Sequence, residues 1–438
     1  MLKSKHCKIA LCAAAISGMT LPTASAQAPD STEYRKFRFG GYGEMYASFK
    51  DYGINRFQKD GATKERRNTI AIPRFVVAFD YKFNPKWVLG AEIEFESGGT
   101  GSAFEIENSE NGEYETEIEK GGEVALEQFH ITRLIGRGFN IRAGHMIVPV
   151  GLTNAHHEPI NFFGTIRPES ETVLLPSTWH ETGIAIFGTF GSCCGLFDYE
   201  AMVVTGLNAN GFDRNEWIAG GKQGYFETDN FTSPAYAARI DWRGIRGLRT
   251  GVSVYYCNDT GANADKNQHY AAYDKIPVTL CTWDLLYSDR YVTVRSNVLY
   301  GNVGNSEAVN DRNGRLPGAS PYSRLTPVAK NALSYSCEVG VNLGNVLGQK
   351  RFPTLYPFVR YEYYNPQFRV SAPYTADRRL EVSKWTAGID WYLLPNLVLK
   401  ADYSTRQIGT NRPFGKGAYN SENEITIGLA FIGWFIQK

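Results

Sequence analysis

The first places to look for chemistry in this 438-residue chain are its seven histidines and the acids near them. His156, His157 and Glu158 stand side by side. Imidazole and carboxylate both bind metals, but adjacent side chains diverge on an ordinary backbone. No third ligand follows at a metal-site spacing, so neither a metal nor another cofactor is expected. A serine hydrolase needs a Ser–His pair with a third orienting group. His130 is the best-placed strand histidine, and no serine spacing marks a partner for it. The chain is therefore expected not to be an enzyme, with an outer-membrane lipid hydrolase as a minor alternative.

The other clusters are charged. Segment 98–122 contains Glu105, Glu107, Glu110, Glu113, Glu115, Glu117 and Glu119. Such oxygen-rich stretches attract Ca²⁺ or Mg²⁺, ions that bridge lipopolysaccharide at a cell surface; the plainer reading is a solvated loop. Segment 147–178 is long and interrupted by Pro149, Pro159, Pro168 and Pro176, so it is not a disguised strand pair. It carries His156, His157, Glu158, Arg167, Glu169 and Glu171. A loop of this length in a regular fold is usually functional. Two placements are open for it: a constriction inside a barrel, or an outward flap.

The elements that must position these groups are strands. In 86–97, Trp87, Leu89, Ala91, Ile93 and Phe95 alternate with Glu92, Glu94 and Glu96. Successive strand side chains point to opposite faces, so one face is apolar and the other charged. The pattern recurs in about sixteen segments, an even count as bacterial barrels require. Connections alternate between short turns and long polar loops, as in outer-membrane barrels with short periplasmic turns and long external loops. Lipid offers no partner for a free N–H or C=O, so the last strand should pair with the first. A charge at mid-membrane on the lipid face costs roughly 2–4 kcal/mol. Arg74, Lys82, Glu92, Glu94, Arg142, Arg239, Arg360, Glu362 and Lys400 are therefore predicted to face a water-filled bore. Two strands resist this phase: around 125–133 the apolar face carries Glu127, and around 278–287 neither face is clearly apolar.

Composition fits one barrel. No linker or composition shift divides 27–438, and a barrel grows by adding strands rather than by enlarging a core. Residues 1–26 read as a secretory signal peptide: a basic start at Lys3, Lys5 and Lys8, an apolar run, and Ala24-Ser25-Ala26 as a cleavage site. Without those lysines the chain is slightly acidic, which gives no basis for nucleic-acid binding. Mean hydropathy is −0.32, and no stretch has the ~20 apolar residues of a membrane helix. Outside 1–26 there are five cysteines, Cys193, Cys194, Cys257, Cys281 and Cys337, with no metal spacing.

Residues 140–152 (NIRAGHMIVPVGL) resemble the strand-then-loop signature of the phosphate-selective porin O and P family, through Arg142, Gly144, Pro149, Gly151 and Leu152. The stretch 179–188 (WHETGIAIFG) resembles that family's re-entry strand, with His180 at a position where arginine is common. The resemblance implies a trimeric outer-membrane porin that passes small hydrophilic solutes or ions, anions such as phosphate among them. It also implies lipid and lipopolysaccharide as surroundings. The alternative is a scaffold or adhesin barrel with a blocked lumen. The all-β class, a transmembrane antiparallel barrel of about sixteen strands with an inward-folded loop, is common to both readings.

Overall fold

The computed structural model describes residues 36–52, 66–97, 103–108, 114–119, 124–176, 178–192, 195–223, 228–264, 270–315, 326–348, 353–414 and 417–438. The expected signal peptide 1–26, Cys193 and Cys194 lie outside the described residues.

The strands are β1 Phe37–Asp51, β2 Arg66–Asn84, β3 Trp87–Glu96, β4 Ala103–Asn108, β5 Tyr114–Glu119, β6 Val124–Gly136, β7 Phe139–Ile147, β8 His180–Phe190 and β9 Phe197–Val204. They continue as β10 Ala235–Trp242, β11 Leu248–Cys257, β12 Val278–Ser288, β13 Val292–Val303, β14 Asn331–Val341, β15 Thr354–Arg369, β16 Val382–Leu394, β17 Leu397–Phe414 and β18 Gly417–Gln437. All but β4 and β5 form one closed antiparallel barrel of sixteen strands. Closure is by β1 on β18, with Arg38 opposite Gln437 and Asp51 opposite Asn423. Closure leaves the sheet no open edge strand, as a wall surrounded by hydrocarbon demands. No described helix is long and apolar enough to cross a membrane.

Alternation sets the two faces. On β3, Glu92 and Glu94 are buried on the inside while Trp87 is exposed on the outside. The outer surface carries Met45, Phe75, Phe129, Ile184, Val254, Trp283, Trp385, Ile427 and other large apolar side chains, all exposed. In a soluble protein such a continuous apolar exterior would drive aggregation; here it matches an acyl-chain surround. Aromatic pairs such as Tyr335–Tyr363 (centroids 5.0 Å) and Tyr361–Trp385 (4.7 Å) cross neighbouring strands on that face.

The two strands that resisted the alternation have distinct explanations. A register shift between Glu92 and Ile93 places a bulge in β6, so that Leu126 pairs with Ile93 and Gln128 with Glu92. The extra residue, Glu127, turns inward and is fully buried. Phe129 and Ile131 keep the outer face. On β12 both faces are apolar in part: Val278 and Leu280 point inward and are fully buried, while Trp283 points outward. The inner wall there packs against protein rather than water. The acidic segment 98–122 also differs from a plain loop, since β4 and β5 pair with each other as a two-stranded sheet.

Candidate functional site

The segment between β7 and β8 lies inside the barrel. It contains two one-turn helices, α1 (Leu152–Ala155) and α2 (Glu169–Thr172). Its peptide groups cannot find ladder partners in the bore, so wall side chains supply them. Lys400 on β17 donates from Nζ to the carbonyls of Pro159 (2.5 Å), Phe162 (2.7 Å) and Gly164 (2.9 Å). Arg360 on β15 donates to the carbonyls of Phe163 (2.8 Å) and Ile166 (3.0 Å). Arg74 on β2 donates to the His157 carbonyl (2.9 Å). Carboxylates hold the amides: Gly164 N–H donates to Asp390 (3.1 Å), Thr165 N–H to Asp402 (2.7 Å) and Ser170 N–H to Glu362 (3.1 Å).

Many wall charges are also paired with one another. Arg239 on β10 donates to Asp241 (2.6 and 2.8 Å) and to Asp284 on β12 (2.8 Å twice), and reaches the Gly151 carbonyl (3.3 Å). Arg74 meets Glu44 at 3.1 Å and Glu94 at 3.9 Å. Arg360 meets Glu362 at 3.0 Å. Arg142 meets Glu200 at 3.4 Å and lies over the Phe187 ring. Arg74, Glu92, Glu94, Arg239, Arg360, Glu362 and Lys400 are buried, whereas Lys82, Arg142 and Arg249 keep partial exposure.

The charged groups of the segment find separate places. Glu171 is almost fully buried and accepts from the amides of Leu152 (3.0 Å), Thr153 (3.1 Å) and Asn154 (2.6 Å), and from the Asn297 side chain (2.8 Å). Burial pushes its carboxyl up, while these amides pull it down; burial wins. Gly151 makes this clasp possible: its φ is +86°, and a Cβ there would lie 2.2 Å from Glu171 Oε1. Glu169 accepts from Lys384 (2.6 Å) and Tyr364 (3.1 Å) and pairs with Arg406. Burial opposes its ionisation, but Lys384 and Arg406 overcome that and hold it well below the usual carboxylate range. Glu158 is buried and accepts from the Asn161 side chain (2.7 Å); burial raises its carboxyl. Arg167 donates to Thr178 (3.2 Å) beside a small crevice whose lining includes Thr153, Asn154 and Thr172.

The two histidines point apart. His156 accepts from Arg249 at 2.7 Å, and burial together with Arg249, Arg239 and Arg295 keeps it neutral. His157 faces Glu127 (3.1 Å) and the Tyr42 hydroxyl (2.9 Å). Burial would lower it, but Glu127 and then Glu158 raise it to about 9.

Sequence reasoning missed Glu127, whose inward turn depends on the bulge, and the inner apolar cluster. In that cluster, connections after β9, β11 and β13 supply Leu207, Phe212, Trp217, Ile218, Ile276 and Val328. These pack on Val204, Tyr255, Leu280 and Leu299 of the wall. Trp217 is fully buried and donates to the Ala329 carbonyl (3.0 Å); a Cβ on Gly301 would meet its ring at 2.0 Å. Apolar residues in long polar connections were the available signal. His130 points into the bore, 3.4 Å from Thr132, away from the outer wall on which a lipid hydrolase would need it. Cys281 and Cys337 are exposed on the outer face, and Cys257 is buried.

The barrel fold is shared with solved channels. The barrel aligns with OmpF of Salmonella typhi, solved in complex with daunomycin, over 91% of this chain and 98% of that one (TM-score 0.54, 10% identity). The outer-membrane channel DcaP of Acinetobacter baumannii aligns over 92% and 99% (TM-score 0.53, 12%). The anion-selective porin of Comamonas acidovorans aligns over 91% and 100% (TM-score 0.52, 9%). The fold is that of an outer-membrane porin. In sequence, the chain is 27% identical over 375 residues to an uncharacterized protein of Aquifex aeolicus (strain VF5), covering 83% of this chain and 74% of that protein. No family model matches.

Proposed function

We propose that the chain is an outer-membrane channel for passive diffusion of small hydrophilic solutes or ions, narrowed by the segment 147–178. The observation that carries this reading is the anchoring of that segment across the bore, from Arg239 on β10 at one side to Arg74, Lys400 and Arg360 on β2, β17 and β15 at the other. Arg142, Arg167, Arg239, His156, His157, Glu158, Glu169, Glu171 and the remaining wall charges set the field along the path. Anions, phosphate included, are the solute class implied by the resemblance to the porin O and P family. The inner wall pairs its cations with acids, which supports weak rather than strong anion preference. A homotrimer in lipid and lipopolysaccharide belongs to the same reading.

The burial of the wall charges at mid-height favours a second reading, a barrel whose bore is closed by its own loop and which serves as a scaffold. Reconstitution of folded protein into a planar bilayer separates the two. The channel reading expects ohmic steps with a small reversal potential in a salt gradient; the scaffold reading expects none.

A further inference from the structure

The geometry points to a divalent-cation site of the zinc class, formed by Glu92, Glu127 and His157, that fastens the inserted segment to the barrel wall. Glu92 comes from β3, Glu127 from the bulge of β6, and His157 from the segment itself. One donor atom from each lies within 4.8 Å of the others, and all three residues are buried. The site joins positions far apart in sequence, so no local ligand spacing announces it.

The imidazole is set for a ligand. His157 Nδ1 lies 3.1 Å from the Asn154 carbonyl. With Nδ1–H donated there, Nε2 is the ring atom that faces Tyr42 and the two carboxylates. Metal-bound histidines are commonly oriented by such a carbonyl contact on the other ring nitrogen. The carboxylates are oriented too. The Tyr42 hydroxyl donates to Glu127 Oε2 (3.0 Å), and the Gln128 amide donates to Glu92 Oε2 (2.6 Å).

Two further observations favour a bound cation. Glu127 Oε1 is buried without a well-formed hydrogen bond among the described residues, and His157 Nε2 lies 3.1 Å from it. A buried, unpartnered carboxylate oxygen is costly unless something positive meets it. The local charges are also unequal. Arg74 pairs with Glu44 and Glu94, with Arg167 near them, while the hydrogen bonds to Glu92 and Glu158 among the described residues include the neutral amides of Gln128 and Asn161. Even an imidazolium at His157 leaves carboxylates in excess, and a divalent ion supplies the balance. One nitrogen and two oxygens suit zinc, with bonds of about 2.0–2.2 Å and a fourth position for water. A site that bridges β3, β6 and the segment would stiffen the segment whether or not the bore conducts.

The test uses full-length folded protein in detergent, stripped with a chelator. Calorimetry with Zn²⁺ should show one ion per chain, and Co²⁺ should give the visible absorption of a low-coordinate nitrogen–oxygen site. Zn²⁺ should also raise the thermal midpoint of the wild type, because it binds only the folded state. Glu92→Gln should weaken binding at least tenfold, and His157→Gln should abolish the Co²⁺ band. His145→Gln is the control: His145 bonds Thr182 and His180 rather than the three ligands, so binding should be unchanged. Folding of each variant is checked by heat-modifiable gel mobility. Should the variants fail to fold, the stripped wild type still decides through its Zn²⁺ heat, Co²⁺ spectrum and midpoint. No Zn²⁺ binding by folded wild type would overturn the site and leave a proton-based His157–Glu127 ion pair. Binding that survives both Glu92→Gln and His157→Gln would overturn it equally.

Discussion

The inside of this barrel is built in two ways, and each holds a different kind of chain. On the side of β1–β3 and β15–β17, the wall carries buried charges that grip the peptide groups of the segment between β7 and β8. Toward the long-connection end of β8–β14, the wall carries Val204, Tyr255, Leu280 and Leu299. They bury Phe212, Trp217 and Ile218 from other connections. The difference follows from what is being held. A segment interrupted by four prolines offers unpaired carbonyls and amides, which charges satisfy directionally. The connections after β9 and β13 offer apolar side chains, which need only matching volume. The charged side fixes geometry and field; the apolar side fills space and sets no field.

That contrast can be broken. The largest effects are expected from one deletion on each side. Lys400→Met leaves three loop carbonyls and Asp390 without their buried ammonium, a loss of about 3–5 kcal/mol. Trp217→Ala opens a cavity, for a comparable loss of about 3–5 kcal/mol. Thermal unfolding in detergent measures both. Only Lys400→Met should also raise unit conductance and move the reversal potential; Trp217→Ala should leave the reversal potential unchanged. An equal shift from both would erase the distinction.

A smaller effect is expected at the clasp within the segment. Glu171→Gln keeps the shape but replaces an acceptor-only carboxylate with an amide that must present a donor to backbone N–H groups. The expected loss is about 1–3 kcal/mol, read by the same unfolding midpoint and by increased current noise.

Acid sharpens the comparison further. Glu169 is held below the usual carboxylate range by Lys384 and Arg406. Its folded value is depressed, so its contribution to stability is complete above the unfolded carboxylate pKa of about 4.3. That contribution is lost only as pH falls through the folded value. The unfolding midpoint of Glu169→Gln relative to wild type should therefore show a constant deficit from pH 5 to 8. The deficit should shrink only in strong acid.

The smallest effect is expected at Arg249, which is partly exposed and faces Asp241 at 3.7 Å. Arg249→Gln should change stability by no more than about 1 kcal/mol. It should shift the reversal potential slightly towards cation preference.

Most of the wall was legible in the sequence because a two-sided environment forces alternation. On β3 the run from Trp87 to Glu96 gives the lipid face and the pore face at once. Legibility ended where that environment changes. Glu127 looked misplaced because a one-residue bulge is invisible to a period of two. The β12 phase was blurred because Val278 and Leu280 face protein, not water. The anchors of the segment, such as Lys400, were legible as inward charges but not as peptide holders. Their partners are backbone groups, which leave no trace in residue identity. His156 and His157 diverge as adjacent side chains should; the carboxylates that meet His157 lie on distant strands and could be found only in three dimensions.

The central claim is that an aqueous path remains past the anchored segment. Single-channel recording of the folded wild-type protein in a planar bilayer, under a salt gradient, tests it most directly. The account predicts small ohmic steps and a weak reversal potential. Folded, heat-modifiable protein that inserts into the bilayer and passes no current would contradict it.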